Sequence, residues 1–349
     1  MAMQKKVVRS GTWTNPVFDQ QLGQEPEIDL DVLSIAGADE EGWRKLAQAH
    51  VYHLMAARDE LPHQWHVSDA LLSRCPQLLC VSSSGAGYDT IDVDACTRAG
   101  VAVVNQAGGN AVSVAEQTIG LMIAVSRRLC EQDRRLRAGQ RFSREDVMGY
   151  DISGRVLGLI GMGHIGTRVA SLARAFNMTV LATDPHLTAQ EIGQRGATPV
   201  SLDELLTRCD IVSMHCPRTK ETIGMIDASA FKAMKQGALF INTARGGIHD
   251  EAALAEALAR GHLGGAGLDV WQVEPPAADH PLLSFENVVA THHTAGVSHD
   301  ARYNVAKIAA DQIRHLLAGG KPPRLVNPEV WPQYMRRFEE TLHQPAGDR

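Results

Sequence analysis

Residues 155–184 read RVLGLIGMGHIGTRVASLARAFNMTVLATD, and the fold turns on this stretch. Val156 to Ile160 is an apolar run of buried-strand length, too short for a helix. It enters Gly161-x-Gly163-x-x-Gly166, after which Ile165, Val169, Leu172, Ala173 and Phe176 fall on one face of a helical pattern. Asn177 stands where a left-handed cap is needed, and 178–182 reads as a second strand closing on Asp184. Strand, glycine turn, helix, strand and acid in this register make a βαβ unit for a dinucleotide. Gly161 permits the tight turn, Gly163 lets backbone approach a pyrophosphate, and Gly166 lets helix and strand pack closely. The helix start, with its unpaired amides and positive dipole end, holds the phosphates. Asp184 is spaced to bind both ribose hydroxyls, and its charge would repel a 2′-phosphate, so NAD is favoured over NADP.

Outside this unit the βα rhythm continues. Strands are predicted at 211–214, 238–242, 267–270 and 288–291, with helices at 202–208 (Ser201 as cap), 231–234 and 251–260. The first hundred residues alternate likewise, with strands opening at Val7 and Val51, a helix over 69–74, and strands over 78–81 and 101–104. Such alternation predicts parallel sheets covered by helices on both faces. Residues 110–137 read as one long helix, capped by Asn110 or by Ser113 with Glu116 in capping-box spacing. Its apolar middle suits a connector between domains or a subunit interface. The helix over 299–319 turns Val305, Ile308, Ala309, Ile313, Leu316 and Leu317 to a core. After Lys321-Pro-Pro323 the chain is Pro-rich, then amphipathic around Trp331 to Phe338, and then reads as a polar, disordered tail.

At 349 residues the chain has room for about two domains. With 34 Lys and Arg against 40 Asp and Glu, the net charge is −6 and no basic block occurs, which argues against nucleic acid and acidic membranes as partners. The start carries no apolar segment of a secretory signal, and the apolar run at 119–125 is too short to cross a bilayer. The six cysteines show no CxxC spacing, which reads as reduced thiols in a cytoplasm. His63-x-x-His66 has ligand-like spacing with no further donors around it, so no metal is expected.

Ligands of open parallel sheets bind at the carboxyl ends of the strands. Arg245, Glu274 and His293 each follow a different strand end, and this convergence predicts a catalytic site. For hydride chemistry His293 suits the proton donor, since imidazole titrates near neutral pH. Glu274 suits the partner that fixes the tautomer, and Arg245 a bidentate clamp for a carboxylate beside a carbonyl. Asp269 is placed to orient a nicotinamide carboxamide. The glycine loop Gly85-Ala86-Gly87 after an early strand is a candidate nest for a carboxylate. Arg58 offers a second positive charge for a phosphorylated or dicarboxylic substrate, or is simply solvated.

From about Ser84 to Gly296 the chain resembles the D-isomer-specific 2-hydroxyacid dehydrogenases. The matches run in order: Gly85-Ala-Gly87-Tyr-Asp89, Asn110-Ala-Val-Ser-Val-Ala-Glu116, the glycine turn, and His215-Cys-Pro217 with Thr219-Lys-Glu221-Thr222. Asn242-Thr-Ala-Arg245-Gly-Gly247, Gly267-Leu-Asp269-Val, Glu274-Pro275 and Thr291-His-His293-Thr-Ala-Gly296 follow. The resemblance implies that Arg245 binds substrate, Glu274 supports the histidine and His293 is the acid/base. It implies cofactor contacts at His164, Ile165, Cys216, Thr222, Thr243, Ala244 and Gly296 besides Gly161, Gly163, Gly166, Asp184 and Asp269. It also implies an α/β fold in which a Rossmann nucleotide-binding domain (106–296) is inserted into a flavodoxin-like substrate-binding domain (1–105 and 297–335, with a polar tail at 336–349). A homodimer formed through the nucleotide domain is implied as well. Two departures stand out: His292 where the family usually has proline, and Arg218 where it has an apolar residue. The expected activity is NAD-dependent interconversion of a 2-keto acid and its D-2-hydroxy acid. The alternative is an NAD(H)-sensing, corepressor-like binding protein of the same fold.

Overall fold

The structure, a computed structural model, describes residues 4–36 and 40–343. The chain opens as β1 (Lys5–Ser10), α1 (Val17–Leu22), β2 (Ile28–Leu33), α2 (Glu40–Ala47), β3 (Val51–Leu54), α3 (Asp69–Arg74), β4 (Cys80–Ser83), α4 (Val93–Arg98) and β5 (Ala102–Val104). It continues through α5 (Ala111–Ser126), α6 (Leu129–Arg137), β6 (Val156–Ile160), α7 (His164–Ala175), β7 (Thr179–Thr183), α8 (Ala189–Gln194) and β8 (Thr198–Pro199). Then come α9 (Leu202–Arg208), β9 (Ile211–Met214), α10 (Ala228–Ala233), β10 (Leu239–Asn242), α11 (Glu251–Ala259), β11 (Gly265–Leu268), β12 (Val288–Ala290), α12 (His299–Leu317) and α13 (Trp331–Leu342). Two compact units result: residues up to 110 with those from 299 onward, and the continuous stretch 111–298.

In the first unit five strands pair in parallel in the order β2-β1-β3-β4-β5, a flavodoxin-like arrangement. The four residues of β3 and of β4 are all buried, as strands covered on both faces must be. One apolar layer beside the sheet is built by Val7, Val51 and Cys80 with Ala309, Ile313 and Leu316 of α12 and Tyr334 and Phe338 of α13. The expected tail from residue 336 is therefore corrected: α13 runs to Leu342, and Phe338 and Leu342 are buried. Apolar residues at helical spacing outweigh the polar ones between them. The part of the expected tail at 344–349 lies outside the described residues.

In the second unit seven parallel strands run β12-β11-β10-β9-β6-β7-β8, so the order reverses direction between β6 and β9. This is the doubly wound arrangement, and β6–α7–β7 sits at its switch point. Asn177 adopts the left-handed conformation read from sequence, with φ 57°. Val169 and Ala173 of α7 are buried, but Phe176 is largely exposed beyond the last helical turn. α5 lies against β10, β11 and β12, where glycines make room for it. A Cβ at Gly265 would stand 2.6 Å from Val125 Cγ1, and one at Gly267 3.0 Å from Leu121 Cβ.

The single helix expected over 110–137 is instead two. Arg128 takes φ 54° between α5 and α6, and its guanidinium grips buried Glu131 by two bonds of 2.7 Å. The Tyr150 amide and the Ser126 hydroxyl close the end of α5 by bonding across to each other's segments. These contacts are tertiary, so helical periodicity alone does not reveal the break. The capping box at Ser113 is absent: Ser113 lies inside α5, and its hydroxyl meets Ser298 Oγ at 2.7 Å. A capping box does form at Thr188 and Glu191 of α8.

Candidate active site

The dinucleotide turn is built as its spacing predicts. Gly161 has φ 99°, and a Cβ there would lie 2.7 Å from the His215 carbonyl carbon at the end of β9. A Cβ on Gly166 would fall 2.2 Å from the Gly161 carbonyl oxygen. Gly163, at the start of α7, is the opposite case: a Cβ there meets nothing within 4 Å, and no side chain caps the helix. Open space over uncapped amides is what a pyrophosphate requires, so this turn fits a dinucleotide. His164 is exposed and Ile165 half-buried in the first helical turn. Asp184 accepts the Met162 amide at 2.9 Å and the His186 amide at 3.0 Å, which holds its carboxylate beside the turn.

The other predicted cofactor contacts divide. Burial pushes the Cys216 thiol up to about 11, and the nearby Asp184 charge adds to this. Thr222 staples its own turn, taking the Thr219 amide and donating to the Pro217 carbonyl. Thr243 meets Thr118 at 2.8 Å; the Thr118 proton is spent on the Val114 carbonyl, so Thr243 donates. The Ala244 amide is bound by Asn242. Gly296 is half-buried just after the histidine loop. Arg218 is half-buried on the turn after β9.

The structure brings Arg245, Glu274 and His293 together on one edge of this sheet. The His293 Nδ1–H donates to Glu274 Oε2 at 2.8 Å, and Glu274 Oε1 accepts the Trp271 amide at 3.0 Å. Burial opposes the imidazolium, but the Glu274 hydrogen bond and charge outweigh it, so the His293 pKa is raised. Burial likewise opposes the Glu274 anion, yet its bond to His293, that charge, the Trp271 amide and Arg245 together lower its pKa. With Nδ1 committed to the carboxylate, Nε2 is the nitrogen left to exchange a proton. Arg245 Nη1 donates to the Ala244 carbonyl at 2.7 Å. Its charge acts on both members of the pair.

The loop that carries His293 is held by residues whose roles were not read from sequence. His293 itself has φ 47°, a conformation costly for a residue with a side chain. Asp269 is fully buried and restrains it: Oδ1 accepts Thr291 Oγ1 at 2.6 Å and the Thr294 amide at 2.8 Å, while Oδ2 accepts the Ala295 amide at 2.9 Å. The Asp269 carbonyl takes the His293 amide at 2.6 Å. Trp271 adds its indole N–H to the Thr291 carbonyl at 3.0 Å. Gly246 passes so close to Trp271 that a Cβ would lie 1.7 Å from its carbonyl oxygen. Glycine at 246 is thus what lets the Arg245 turn approach the Glu274 segment. Asp269 stands in the Gly267-Leu-Asp269-Val match with an expected role toward the nicotinamide carboxamide, whereas nothing in the sequence marks it or Trp271 as a brace for this loop. His292 is exposed on the same loop.

In the first unit, the loop after β4 has its carbonyls tied. Gln106 and Asn105 bond the Gly85 and Ala86 carbonyls at 2.8 Å each, and Ser83 bonds that of Gly87. Arg58 Nε donates to the Asp89 carbonyl at 3.0 Å, so it braces this loop. The rings of His63 and His66 lie 5.1 Å apart, and no group of three or more metal-ligating side chains occurs among the described residues.

Comparison with known proteins bears on the family and the fold. Residues 119–295 match the D-isomer specific 2-hydroxyacid dehydrogenase family, NAD binding domain. The chain is 40% identical over 270 residues to a D-3-phosphoglycerate dehydrogenase of Archaeoglobus fulgidus, covering 77% of this chain and 51% of that protein. It is 40% identical over 258 residues to a glyoxylate reductase of Korarchaeum cryptofilum, covering 73% and 78% respectively. The chain thus spans about half the length of most curated relatives it matches, though more of the reductase. Its fold superposes on D-lactate dehydrogenase from Aquifex aeolicus complexed with NAD and lactic acid with a TM-score of 0.77 at 27% identity, covering 90% of this chain and 96% of that one. The chain belongs to the D-isomer specific 2-hydroxyacid dehydrogenase family.

Proposed function

We propose that this chain interconverts a 2-keto acid and its D-2-hydroxy acid with NAD(H), His293 serving as acid and base. The observation that carries the reading is the 2.8 Å bond from His293 Nδ1 to Glu274 beside Arg245, at three strand ends of a dinucleotide-binding sheet. When bound, the dihydronicotinamide supplies the hydride. Arg245 clamps the substrate carboxylate and polarises the adjacent carbonyl. His293 Nε2–H gives its proton to the carbonyl oxygen as it becomes a hydroxyl, and Glu274 stabilises the imidazolium beforehand. In oxidation the neutral Nε2 takes the hydroxyl proton. In the first unit the Ala86 and Gly87 amides are a candidate nest for a carboxylate, the Gly85 amide being turned to Ser83 Oγ at 3.4 Å.

Asp184 would bind the adenosine ribose hydroxyls and repel a 2′-phosphate, favouring NAD over NADP. A second copy of the chain is the proposed partner. α6 and the segment after it expose Leu136 (69%), Met148 (67%) and Tyr150 (70%), large apolar side chains that a homodimer would cover. The six cysteines are free thiols, which suits a reducing cytoplasm. No helix among the described residues is long and apolar enough to cross a membrane.

The test is NADH consumption by the purified chain across 2-keto acids, from glyoxylate and hydroxypyruvate through phosphohydroxypyruvate to bulky aliphatic and aromatic ones, with NADPH in parallel. A preferred keto acid with NADH supports the reading. Tight NADH binding with every keto acid inert contradicts it.

A further inference from the structure

Asn242, the last residue of β10, is the knot of the turn that carries Arg245. Its Oδ1 accepts the Ala244 amide at 2.9 Å, which fixes the way its side-chain amide faces. Nδ2 then lies 3.0 Å from the Arg245 carbonyl and 3.1 Å from His249 Nδ1. An amide nitrogen has only protons to give, one for each neighbour, so His249 Nδ1 is a bare acceptor and the ring proton sits on Nε2. His249 is 1% exposed, with Phe240 and Phe231 rings at 5.1 and 6.5 Å, and its Nε2 has no hydrogen-bond partner among the described residues. Burial holds its pKa down to about 4, against a weaker upward pull from Asp250, so the ring is neutral at working pH. The backbone around it is pinned by the Asp250 amide, which donates to the Ile226 carbonyl at 3.0 Å.

We infer that His249 is a positioning residue for substrate carboxylate binding: by accepting a proton of the Asn242 amide, it locks the turn that presents Arg245. The inference rests on the reading of Arg245 as the carboxylate clamp. A residue without an acceptor at 249 leaves a buried N–H of Asn242 unpaired. The amide relieves this only by turning away from Ala244 or Arg245, and either movement loosens the turn beneath the guanidinium. The dinucleotide turn at 161–166 shares none of these bonds; of the expected cofactor contacts only Thr243 and Ala244 adjoin the loosened turn, so NADH affinity changes much less than substrate affinity.

The test compares His249→Phe, which fills the aromatic pocket without an acceptor, with His249→Asn, whose Oδ1 falls near the position of Nδ1. His249→Leu, also without an acceptor, replaces the phenylalanine variant if that one does not fold. For each full-length variant we would measure KM for the keto acid the wild type prefers, Ki for oxamate in the presence of NADH, Kd for NADH, and Tm. The acceptor-less variant should raise KM and Ki together by about five- to tenfold, the worth of one buried hydrogen bond. NADH Kd should stay within about twofold, and His249→Asn should return KM and Ki to within about twofold of wild type. Unchanged KM and Ki in the acceptor-less variant overturn the inference. So does a loss shared equally by NADH, which marks a general structural role, or a well-folded His249→Asn that behaves like His249→Phe. A wild type that turns over no 2-keto acid overturns the reading of Arg245 first, and this inference with it.

Discussion

The glycine turn and the acid/base loops lie in the same sheet and are made in opposite ways. The turn is local: strand, three glycines, helix, strand and acid occupy thirty consecutive residues, and Asp184 reaches back to the Met162 amide within them. The acid/base site is assembled from three strand ends, with Arg245, Glu274 and His293 brought together by Asp269, Trp271, Asn242 and Gly246. The first needs small residues at fixed spacing. The second adds to local bonds such as Asn242–Arg245 a set that spans twenty residues and more, from Trp271 to Thr291 and from Asp269 to Thr294 and Ala295. A local device should fail at single positions for steric reasons, and an assembled one should fail through its supports.

Substitutions can break this contrast. The largest expected effect is at His293. His293→Ala should lower turnover by ~10²–10⁴, the worth of general acid/base catalysis, with NADH affinity held. Near-wild-type turnover would remove it from the mechanism. Next come the supports. Asp269→Asn turns an acceptor of three bonds into a group with an N–H facing a donor, so kcat should fall by about ten- to a hundredfold. An unaltered kcat would mean that the His293 loop holds itself.

On the cofactor side, Asp184→Ala should weaken NADH by roughly ten- to a hundredfold, as loss of charged hydrogen bonds does, and narrow the preference over NADPH. Unchanged preference in a parallel titration would refute the ribose role. The smallest effect sharpens the local half. Gly163→Ala should leave Tm near wild type, since a methyl there meets open space, yet weaken NADH by about tenfold. Gly166→Ala should lose Tm and NADH binding together, because its methyl strikes the Gly161 carbonyl oxygen. Equal behaviour of the two glycines would contradict the geometry of the turn.

The same contrast explains what the sequence disclosed. The glycine turn, the left-handed Asn177 and the Ser201 cap were legible because each depends on neighbours in the chain. The two parallel sheets followed from the βα rhythm. The split of the long helix at Arg128 was hidden, since it is enforced by Glu131, Tyr150 and Ser126 meeting in space. Ser113 and Glu116 have the spacing of a capping box, but Ser298 competes for the serine hydroxyl and the helix starts earlier. β2 alternates as a strand should and α2 is amphipathic, but at six and eight residues they, like the six-residue α1, are too short to stand out. At the site, the proposed reacting residues stand out in the sequence because their chemistry is distinctive, and the structure brings them together. Their supports do not stand out, because an asparagine, a tryptophan and a buried histidine acquire their roles only from what they touch.

The central claim is that Glu274 tunes His293 as the proton donor, and the pH dependence of reduction tests it most directly. A raised His293 pKa keeps the imidazolium, the form that donates, to higher pH. Reduction should therefore fall only as pH rises through a value above the ordinary imidazole value of about 6.5, and oxidation should rise through the same limb. Glu274→Gln removes the anion while burial and the Arg245 charge remain, so the limb should move to lower pH and kcat at neutral pH should drop. Measuring NADH oxidation with the preferred keto acid from acid to alkaline pH in both proteins decides the matter. A limb shifted down in Glu274→Gln is the predicted result; identical profiles would contradict the account.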